Sequence, residues 1–416
     1  MMNKIKNEKD VLFICQYFYP EYISSATLPY DTAIALCDSG LSVDVLCGFP
    51  KEYNLNKKVS LKETHEGLGI KRLKYLHMNR STFQGRVVNY FSFTISVLTK
   101  FLSFRKYKFI FVYSNPPILP IVAYLANMLF SIKIIFVCFD VYPEIAIRTN
   151  MISKNGLISK AMKIINNSVY SRITKVVALS YDMKEFLLNN RSQLDDSKVI
   201  VIPNWFEDKS GFDIKSSYKN NLFKDIKTSG KLVISYFGNF GTAQDTQTLM
   251  CAIRKMKNDS SVVFMFAGHG NKLPKIKEEV EQEDLRNVYI YDFLHGQDYQ
   301  DALNLSDIFI VSLESNLTGL AVPSKTYSYM MAGKPIISIM SKNTDISNDL
   351  TNYEAGFSID VGDVSNLISV IYSLKNNQEK RLNMGTKARE LYEEKYTKEK
   401  CTAKYVSLIK NLYKVE

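Results

Sequence analysis

The sequence contains few of the residues from which metal and redox sites are built. Its 416 residues include six cysteines, four histidines and one tryptophan. The cysteines are scattered without a Cys-x-x-Cys pair, and the histidines lack metal-ligand spacing. Neither a zinc site nor a disulfide framework is therefore expected, and we interpret the cysteines as reduced, mostly buried thiols.

The sequence leads us to expect neither a signal peptide nor a membrane-spanning segment. The N-terminus, MMNKIKNEKD, is polar and charged and has no apolar core of a signal peptide, so the expected location is the cytoplasm. The apolar stretch at residues 118–139 is interrupted by Ser131 and Lys133, which leaves too short a run to span a bilayer. With 46% hydrophobic residues, the chain is nevertheless expected to be globular and is long enough for two domains.

Acidic residues are absent between Glu66 and Asp140. The same stretch contains many basic residues, namely Lys71, Arg72, Lys74, Arg80, Arg86, Lys100, Arg105, Lys106, Lys108 and Lys133. The entire net charge of +11 lies in residues 1–205. Such one-signed stretches indicate an anionic partner, either nucleic acid or the inner leaflet of a membrane. No nucleic-acid-binding module is recognisable, so we favour the membrane and expect no nucleic acid.

Residues 86–104 bear directly on that choice. Apolar and aromatic side chains surround this predicted helix nearly all round, and basic residues flank it. The pattern fits either a core helix or a helix lying partly in a membrane surface. Both interpretations remain open, and the acid-free flanks favour the membrane.

Strands and helices alternate along the chain in two series. The first opens with a strand at residues 11–15, a helix at 26–37 and a strand at 42–47, which predicts a doubly wound parallel sheet. Ligands bind at the carboxyl ends of such strands, so Glu21, Ser24 and Ser25 are predicted to line a site. A second series begins at residue 232. We predict one Rossmann-like domain at residues 1–205, another at 206–396 and a final helix at 397–416.

The stretch GLAVPSKTYSYMMAGKPIIS, residues 319–338, contains the most informative local pattern. It predicts a tight turn, a short helix that Gly333 and Pro335 end, and a buried strand. A proline at the helix start would leave the backbone N–H groups of Ser324, Lys325 and Thr326 unpaired. Such groups beside a lysine predict a phosphate site. The alternative is an ordinary surface helix with a solvated Lys325.

A resemblance to a known family supports the first interpretation. VPSKTYSYMMAGKPII resembles the donor-site motif of retaining GT-B glycosyltransferases of family 4, the sucrose-synthase-like family, in the bacterial branch that builds capsule and O-antigen units. Six further motifs match that branch in order: YFYPE, SNPP, FDVYPE, IPNWFE, YFGNFGTAQ and AGHG. The resemblance implies two facing Rossmann-like domains with a cleft between them. It also implies that the last helix crosses back to the first domain.

The resemblance implies an activity as well. Enzymes of this branch move a sugar from a nucleoside-diphosphate sugar, here expected to be UDP-linked, to a polyprenyl-diphosphate-linked saccharide. The expected protein is peripheral on the cytoplasmic face of the inner membrane. Because no Asp-x-Asp metal pair occurs in the sequence, lysine and backbone N–H groups would have to stabilise the leaving diphosphate. We therefore expect neither a metal nor another cofactor.

The same resemblance implies roles for individual residues. Lys325 is predicted to bind the diphosphate, while Asp140 and Glu144 are predicted to lie near the acceptor hydroxyl; for both carboxylates a purely structural role at the strand end remains open. The predicted donor-binding set is Gly238, Asn239, Gly268, Phe293, Leu294, Pro323, Ser324, Ser328 and Tyr329. In the first domain, Glu21, Ser24, Ser25 and Asn115 are predicted to face the cleft.

Two departures from the family pattern leave other functions open. Ser328 stands where the family usually has a ribose-binding glutamate. The segment at residues 239–244 has neither the arginine nor the lysine found there in many members. A sugar-nucleotide epimerase on the same scaffold, or a catalytically inactive GT-B binding protein, is therefore an alternative to a transferase.

Overall fold

A computed structural model describes residues 9–51, 58–80, 82–207, 220–226 and 230–414. Residues 1–8, and residues 208–219 just after the predicted domain boundary, lie outside these ranges. The chain forms two compact units. The first comprises Met1–Asn204, Gly319–Val322 and Lys398–Glu416, and the second comprises Trp205–Thr318 and Pro323–Thr397. The short segment Gly319–Val322 and the last helix thus group with the first unit, while the intervening chain forms the second.

Each unit is built on one sheet. The strands of the first unit are β1 (Lys9–Cys15), β2 (Val43–Gly48), β3 (Lys62–His65), β4 (Leu68–Leu73), β5 (Tyr107–Tyr113), β6 (Lys133–Cys138), β7 (Lys175–Ala178) and β8 (Val199–Val201). Those of the second are β9 (Leu232–Asn239), β10 (Val262–His269), β11 (Val288–Tyr291), β12 (Ile308–Ser312), β13 (Ile336–Ile339) and β14 (Gly356–Ile359). The sheet orders are β3-β4-β2-β1-β5-β6-β7-β8 and β11-β10-β9-β12-β13-β14.

Helices connect these strands in both units. The first unit contains α1 (Ser24–Asp38), α2 (Phe83–Leu98), α3 (Pro120–Phe130), α4 (Glu144–Arg148), α5 (Leu157–Arg172) and α6 (Tyr181–Asn190). The second contains α7 (Gln247–Lys255), α8 (Leu273–Gln282), α9 (Gly296–Leu305), α10 (Lys325–Met331), α11 (Asp345–Asn352), α12 (Val364–Asn376) and α13 (Gln378–Leu391). The last helix, α14 (Lys398–Lys414), returns to the first unit.

The first sheet differs from the prediction at one edge. The sequence predicted a parallel sheet, yet β3 pairs with β4 in antiparallel register, with Lys62 opposite Lys71. The β3 side chains alternate between exposed and half-buried, so this edge strand offers no continuous apolar run that would have marked it. The other strand pairs of this sheet are parallel, as predicted.

Helix α14 is held against the first unit by polar contacts at both ends. Near its start, Lys398 Nζ lies 3.2 Å from the buried carboxylate of Asp31 on α1. Near its end, the Tyr413 hydroxyl donates to Asp10 at 2.5 Å. Between them, Tyr405 and Ile409 are buried. The apolar spacing of this helix therefore reflects a packed face.

The second sheet is parallel throughout the strand pairs that the structure describes. Its core contains Tyr236, Phe240 and Phe264, all with no exposed area. Apolar β-branched and aromatic residues dominate its strands because both faces of a parallel sheet are covered by helices. The two parallel-sheet Rossmann-like domains predicted from the sequence are thus confirmed.

Candidate functional site

Lys325 lies at the carboxyl edge of the second sheet. It begins α10, and its ammonium group donates to the backbone carbonyl of Asn239, 3.3 Å away, at the end of β9. The same Nζ atom lies 3.6 Å from the centre of the Tyr236 ring. A ring face attracts a cation, so Tyr236 and the Asn239 carbonyl together fix where the positive charge sits.

The charge on Lys325 is not balanced by a nearby acid. Among the described residues, no carboxylate lies within ion-pair distance of its ammonium group. Desolvation lowers the pKa of this half-buried lysine well below its ordinary value. An arriving anion would compensate that desolvation and restore the charged form. The arrangement is therefore suited to binding an anionic group.

Glycines allow the strand ends around Lys325 to approach closely. Gly238 at the end of β9 has a positive φ of 104°, and a Cβ added there would lie 3.7 Å from Lys325 Cε. A Cβ at Gly268 would lie 1.8 Å from the Gly238 carbonyl oxygen, which no side chain can tolerate. The predicted glycine positions are thus structurally required, and they leave polar backbone groups at the sheet edge.

His269 is a neighbour of this cluster that the sequence analysis left without a role. It pairs in register with Asn239, and both side chains are exposed. Partial burial and the charge of Lys325 lower the pKa of His269. Its ring centre lies 5.3 Å from that of Phe293, which is 37% exposed, whereas Leu294 is largely buried. The Gly-His-Gly run at the end of a strand was the feature of the sequence that could have pointed to His269.

Lys272 supplies a second positive charge close to the β9–α7 loop. Its ammonium group donates to the Gln244 carbonyl at 2.5 Å and to the Glu314 carboxylate at 3.0 Å. Residues 239–244 contain no cationic side chain. The sequence analysis missed Lys272 because this lysine precedes α8 and reaches that loop only through the fold.

Ser328 and Tyr329 are less accessible than their predicted role requires. Ser328 is 2% exposed, and its hydroxyl is 2.7 Å from that of Tyr299 and 2.8 Å from the Lys325 carbonyl. Tyr329 has no exposed area, and its hydroxyl contacts both backbone polar groups of Phe237. We therefore assign Tyr329 to the core and not to the donor-binding set.

The start of α10 also differs from the prediction. The Thr326 N–H donates to the Pro323 carbonyl at 3.2 Å, so it is not free for a phosphate. Pro323 is buried, Ser324 is half-buried, and the helix comprises only seven residues. The predicted set of three free N–H groups is wrong at Thr326. The side chain of Lys325 is therefore the main cationic feature of this edge.

Asp140 follows β6 in the first unit. The Ser114 hydroxyl accepts hydrogen bonds from the backbone N–H groups of Phe139 and Asp140, each at 3.0 Å. Asp140 itself forms an isolated antiparallel bridge with Ala321, which lies in the segment Gly319–Val322 of the same unit. Asp140 also lines a small cavity of about 10 Å³ with Ser114 and Tyr142. Burial raises the pKa of Asp140 to about 6.

This raised pKa predicts a pH-dependent effect of Asp140→Asn. The folded state holds the proton of Asp140 more tightly than the unfolded state does. Its contribution to stability is therefore present at low pH and is lost as pH rises through about 6. The free energy of unfolding of Asp140→Asn, relative to wild type, should grow by about 2 kcal/mol between pH 4 and pH 8. Urea titrations across that range would show it, and a pH-independent difference would contradict the assignment.

Glu144 forms part of a buried ion pair. Its carboxylate lies 2.6 Å from the Arg191 guanidinium, which also donates to the Tyr142 carbonyl at 3.2 Å. The side chains of Glu144 and Arg191 are only 16% and 6% exposed. Breaking such a pair would leave an uncompensated buried charge. We therefore assign Glu144 a positioning role, in which it fixes the turn that carries Asp140.

The remaining predicted residues of the first unit follow neighbouring strands. Glu21 is buried after β1, and its carboxylate accepts from the Phe18 N–H at 3.3 Å. Ser24 is exposed and Ser25 is half-buried at the start of α1. Asn115 follows β5, and its buried Oδ1 has no hydrogen-bond partner among the described residues. Because β1, β5 and β6 are adjacent, these residues share one sheet edge with Asp140.

Helices α2, α3 and α5 of the first unit expose a group of large apolar side chains, which we call the α2–α5 face. On α2 the buried side includes Asn89 and Thr94, while Phe91 and Ile95 are 54% and 61% exposed. Helices α2, α3 and α5 pack together, and a 3-10 turn at Phe101–Lys106 packs on α3. Further exposed apolar residues of this layer are Phe83, Val88, Leu98, Leu102, Met128, Leu129, Leu157, Ile158 and Ile164. Residues 86–104 are thus neither a simple core helix nor a continuous one.

Two of the basic residues near this face are engaged elsewhere. Lys106 lies 3.7 Å from Asp44, and Lys108 lies 3.4 Å from Asp10. Arg105 is exposed, and Lys100 is half-buried. None of the described helices is long and apolar enough to cross a bilayer.

Comparison with known proteins finds one family model that matches within the second unit. Residues 218–391 match the family described as Glycosyl transferases group 1. That segment is less than half of the chain. It includes Lys325, Lys272, His269 and Ser328.

Two curated relatives match part of the chain. The probable glycosyltransferase WbjE of Pseudomonas aeruginosa is 27% identical over 236 residues, which cover 56% of this chain and 58% of the relative. The N-acetyl-alpha-D-glucosaminyl L-malate synthase of Bacillus anthracis is 25% identical over 187 residues, covering 44% and 46%. The chain thus spans about half the length of the curated relatives it matches.

Solved structures match nearly the whole chain at low identity. Sucrose-phosphate synthase from Thermosynechococcus elongatus has a TM-score of 0.73 at 13% identity and covers 98% of this chain and 100% of its own. Anabaena HepE in complex with UDP-glucose has a TM-score of 0.70 at 13% identity, covering 97% and 100%. WaaG, a glycosyltransferase involved in lipopolysaccharide biosynthesis, has a TM-score of 0.68 at 11% identity, covering 96% and 99%. These likenesses confirm the GT-B fold.

Proposed function

We propose that the protein transfers a sugar from a UDP-linked donor to a polyprenyl-diphosphate-linked saccharide, with retention of anomeric configuration and without a metal ion. The observation that carries this proposal is the half-buried ammonium group of Lys325, which has no carboxylate partner among the described residues. It lies at a glycine-lined strand edge within the segment that matches the glycosyltransferase family.

The donor reaction requires a place for negative charge. When the bond between the anomeric carbon and the diphosphate oxygen breaks, the leaving UDP takes the electron pair. Lys325 is positioned to bind that diphosphate, and its fixed charge needs no reorganisation as the bond breaks. The exposed Phe293 ring beside His269 offers an aromatic face for the uracil base. The solved complex of HepE with UDP-glucose supports a UDP-linked donor.

The acceptor reaction requires a place for a proton. In a retaining transfer of this kind, the acceptor hydroxyl attacks on the face from which the diphosphate leaves. A phosphate oxygen of the departing UDP takes the hydroxyl proton, so no protein nucleophile is needed. Asp140, whose pKa is raised to about 6, is suited to orient and polarise that hydroxyl while largely ionised at neutral pH.

A lipid-linked acceptor fits the α2–α5 face. This surface exposes large apolar side chains that a soluble partner-free domain would rarely group together. An anionic leaflet would add attraction for Arg105 and Lys100, worth about 1 kcal/mol per well-placed charge. We therefore propose that the protein is peripheral on the cytoplasmic face of the membrane. The involvement of WaaG in lipopolysaccharide biosynthesis is in keeping with our proposal that the protein helps to build a cell-surface polysaccharide such as capsule or O-antigen.

A transfer assay would test this proposal. Purified protein is incubated with each of a panel of UDP-sugars labelled in the sugar, together with a lipid extract that contains polyprenyl-diphosphate-linked saccharides. We expect one donor to pass its label into the lipid fraction, in excess EDTA as well, with the anomeric configuration retained. A label that stays on the nucleotide but changes sugar identity would indicate an epimerase. No change with any donor would contradict an enzymatic role.

A further inference from the structure

The second unit contains a groove that shares no lining residue with the Lys325 cluster. It lies between α11 and α13, beside the edge strand β14, and has a volume of about 620 Å³. Cavities of roughly 300–1,000 Å³ are the usual size for small-molecule ligands. The groove is open to solvent along the free side of β14, so a ligand longer than the groove can extend beyond it.

Side-chain amides line both walls of this groove. Asn348 and Asn352 stand four residues apart on α11 and therefore share one helix face. Asn383 faces them from α13. Within the described part of the chain, none of these three amides makes a side-chain hydrogen bond, and all three residues are exposed. Each amide offers two N–H donors and one carbonyl acceptor, so the walls present unused groups of both kinds.

The edge strand β14 adds a buried hydroxyl to the groove. Phe357 and Ser358 are consecutive residues of β14, and both line the cavity. The Ser358 Oγ atom is buried without a hydrogen-bond partner among the residues the structure describes. Lys380 places its ammonium group 5.0 Å from the centre of the Phe357 ring. A buried hydroxyl of this kind gains stability from a partner that a ligand can bring.

The charges of the groove nearly cancel. Lys342 lies 3.1 Å from Asp360, which neutralises it, and the positive Lys380 is matched by the negative Glu354 among the lining residues. A nucleotide or phosphate would find little net attraction in such surroundings. A ligand rich in hydroxyl groups would find amide donors, amide acceptors and an unpaired serine hydroxyl.

We propose that this groove is a second binding site, one that takes a neutral oligosaccharide. The inference goes beyond the proposed reaction, because it rests on the β14 groove alone and needs neither Lys325 nor a sugar nucleotide. The three amides and the buried Ser358 hydroxyl bind the sugar hydroxyls.

Saturation-transfer NMR and calorimetry with maltotetraose, cellotetraose and chitotetraose would test the site. We expect at least one of these probes to bind with a dissociation constant in the millimolar range, about 0.1–5 mM, as for shallow polar sites. The triple variant Asn348→Ala, Asn352→Ala, Asn383→Ala should weaken that binding at least tenfold. Asn366→Ala, which removes an exposed amide of α12 outside the groove, should bind as wild type does.

Two further arms make the outcome decisive. Lys325→Met should bind the oligosaccharide normally, so a failure of the proposed reaction would not be mistaken for a failure of this site. The inference is overturned if no probe binds at a concentration 20-fold above the upper end of the expected range of dissociation constants. It is also overturned if the triple variant binds the probe as tightly as Asn366→Ala does. Binding of an extended Thr-Val heptapeptide in place of the sugars would also overturn it, because the groove would then be an edge-strand docking site.

Discussion

Lys325→Met should lower turnover by roughly a hundredfold or more, the scale expected when a preorganised charge at a developing oxyanion is lost. Methionine keeps an apolar stem over the Tyr236 ring but removes the ammonium group that lies 3.6 Å from it. Steady-state rates of label transfer from the UDP-sugar would measure the effect. Excess EDTA should leave the wild-type rate unchanged, since the sequence has no Asp-x-Asp pair to hold a metal.

The fold should not suffer from this substitution. Desolvation already lowers the pKa of Lys325, so the folded protein holds the charged form at a cost. Removing the charge should therefore keep or raise the melting temperature while activity falls. Lys275→Met is the matched control. It also removes one positive charge, but from a lysine of α8 whose side chain is 79% exposed. Near-normal turnover of Lys325→Met would contradict the assignment, as would equal losses in both variants.

The triple variant Phe91→Ser, Ile95→Ser, Leu102→Ser should bind vesicles roughly a hundredfold more weakly than wild type, because each exposed side chain contributes on the order of 1 kcal/mol on insertion. These side chains are 54%, 61% and 73% exposed, so serine should cost the fold little. Sedimentation with vesicles that contain phosphatidylglycerol would measure the loss. Leu382→Ser is the control, since this leucine of α13 is 63% exposed in the second unit.

Removing positive charges should weaken membrane binding less than removing the apolar side chains does. Lys100→Gln combined with Arg105→Gln should weaken binding to anionic vesicles only partly, and high salt should do the same. Lys106 and Lys108 are poorer choices for such a test because they pair with Asp44 and Asp10. If the triple serine variant sediments with vesicles as wild type does, the α2–α5 face is not the membrane surface.

The sequence predicted the architecture well because apolar runs and turns mark parallel strands clearly. The strand at β1 and the helix at α14 were placed within a few residues of their observed bounds. The β3–β4 hairpin escaped because a polar edge strand has no such apolar signal. The break after α2, where the 3-10 turn Phe101–Lys106 begins, was also not marked by glycine or proline.

Individual site residues were harder to predict, since their roles depend on contacts between distant segments. The sequence could single out Lys325 because its motif is local, at the start of a short helix before a glycine stop, and the role of this lysine stays a prediction. Lys272 was not, because it reaches the Gln244 carbonyl from another loop. Glu144 looked like a free carboxylate until the fold paired it with Arg191, 47 residues away in sequence. Tyr329 looked accessible until its hydroxyl was seen to hold the Phe237 backbone.

The central claim is that Lys325 binds the diphosphate of the donor. Phosphorus NMR titration of UDP into the wild-type protein and into Lys325→Met tests it most directly, with uridine as a phosphate-free comparison. The account predicts that the β-phosphate resonance shifts on binding to wild type and that Lys325→Met binds UDP at least tenfold more weakly, while uridine binds both proteins equally. Equal UDP affinity in the two proteins would contradict it, and so would an equal loss of UDP and uridine binding.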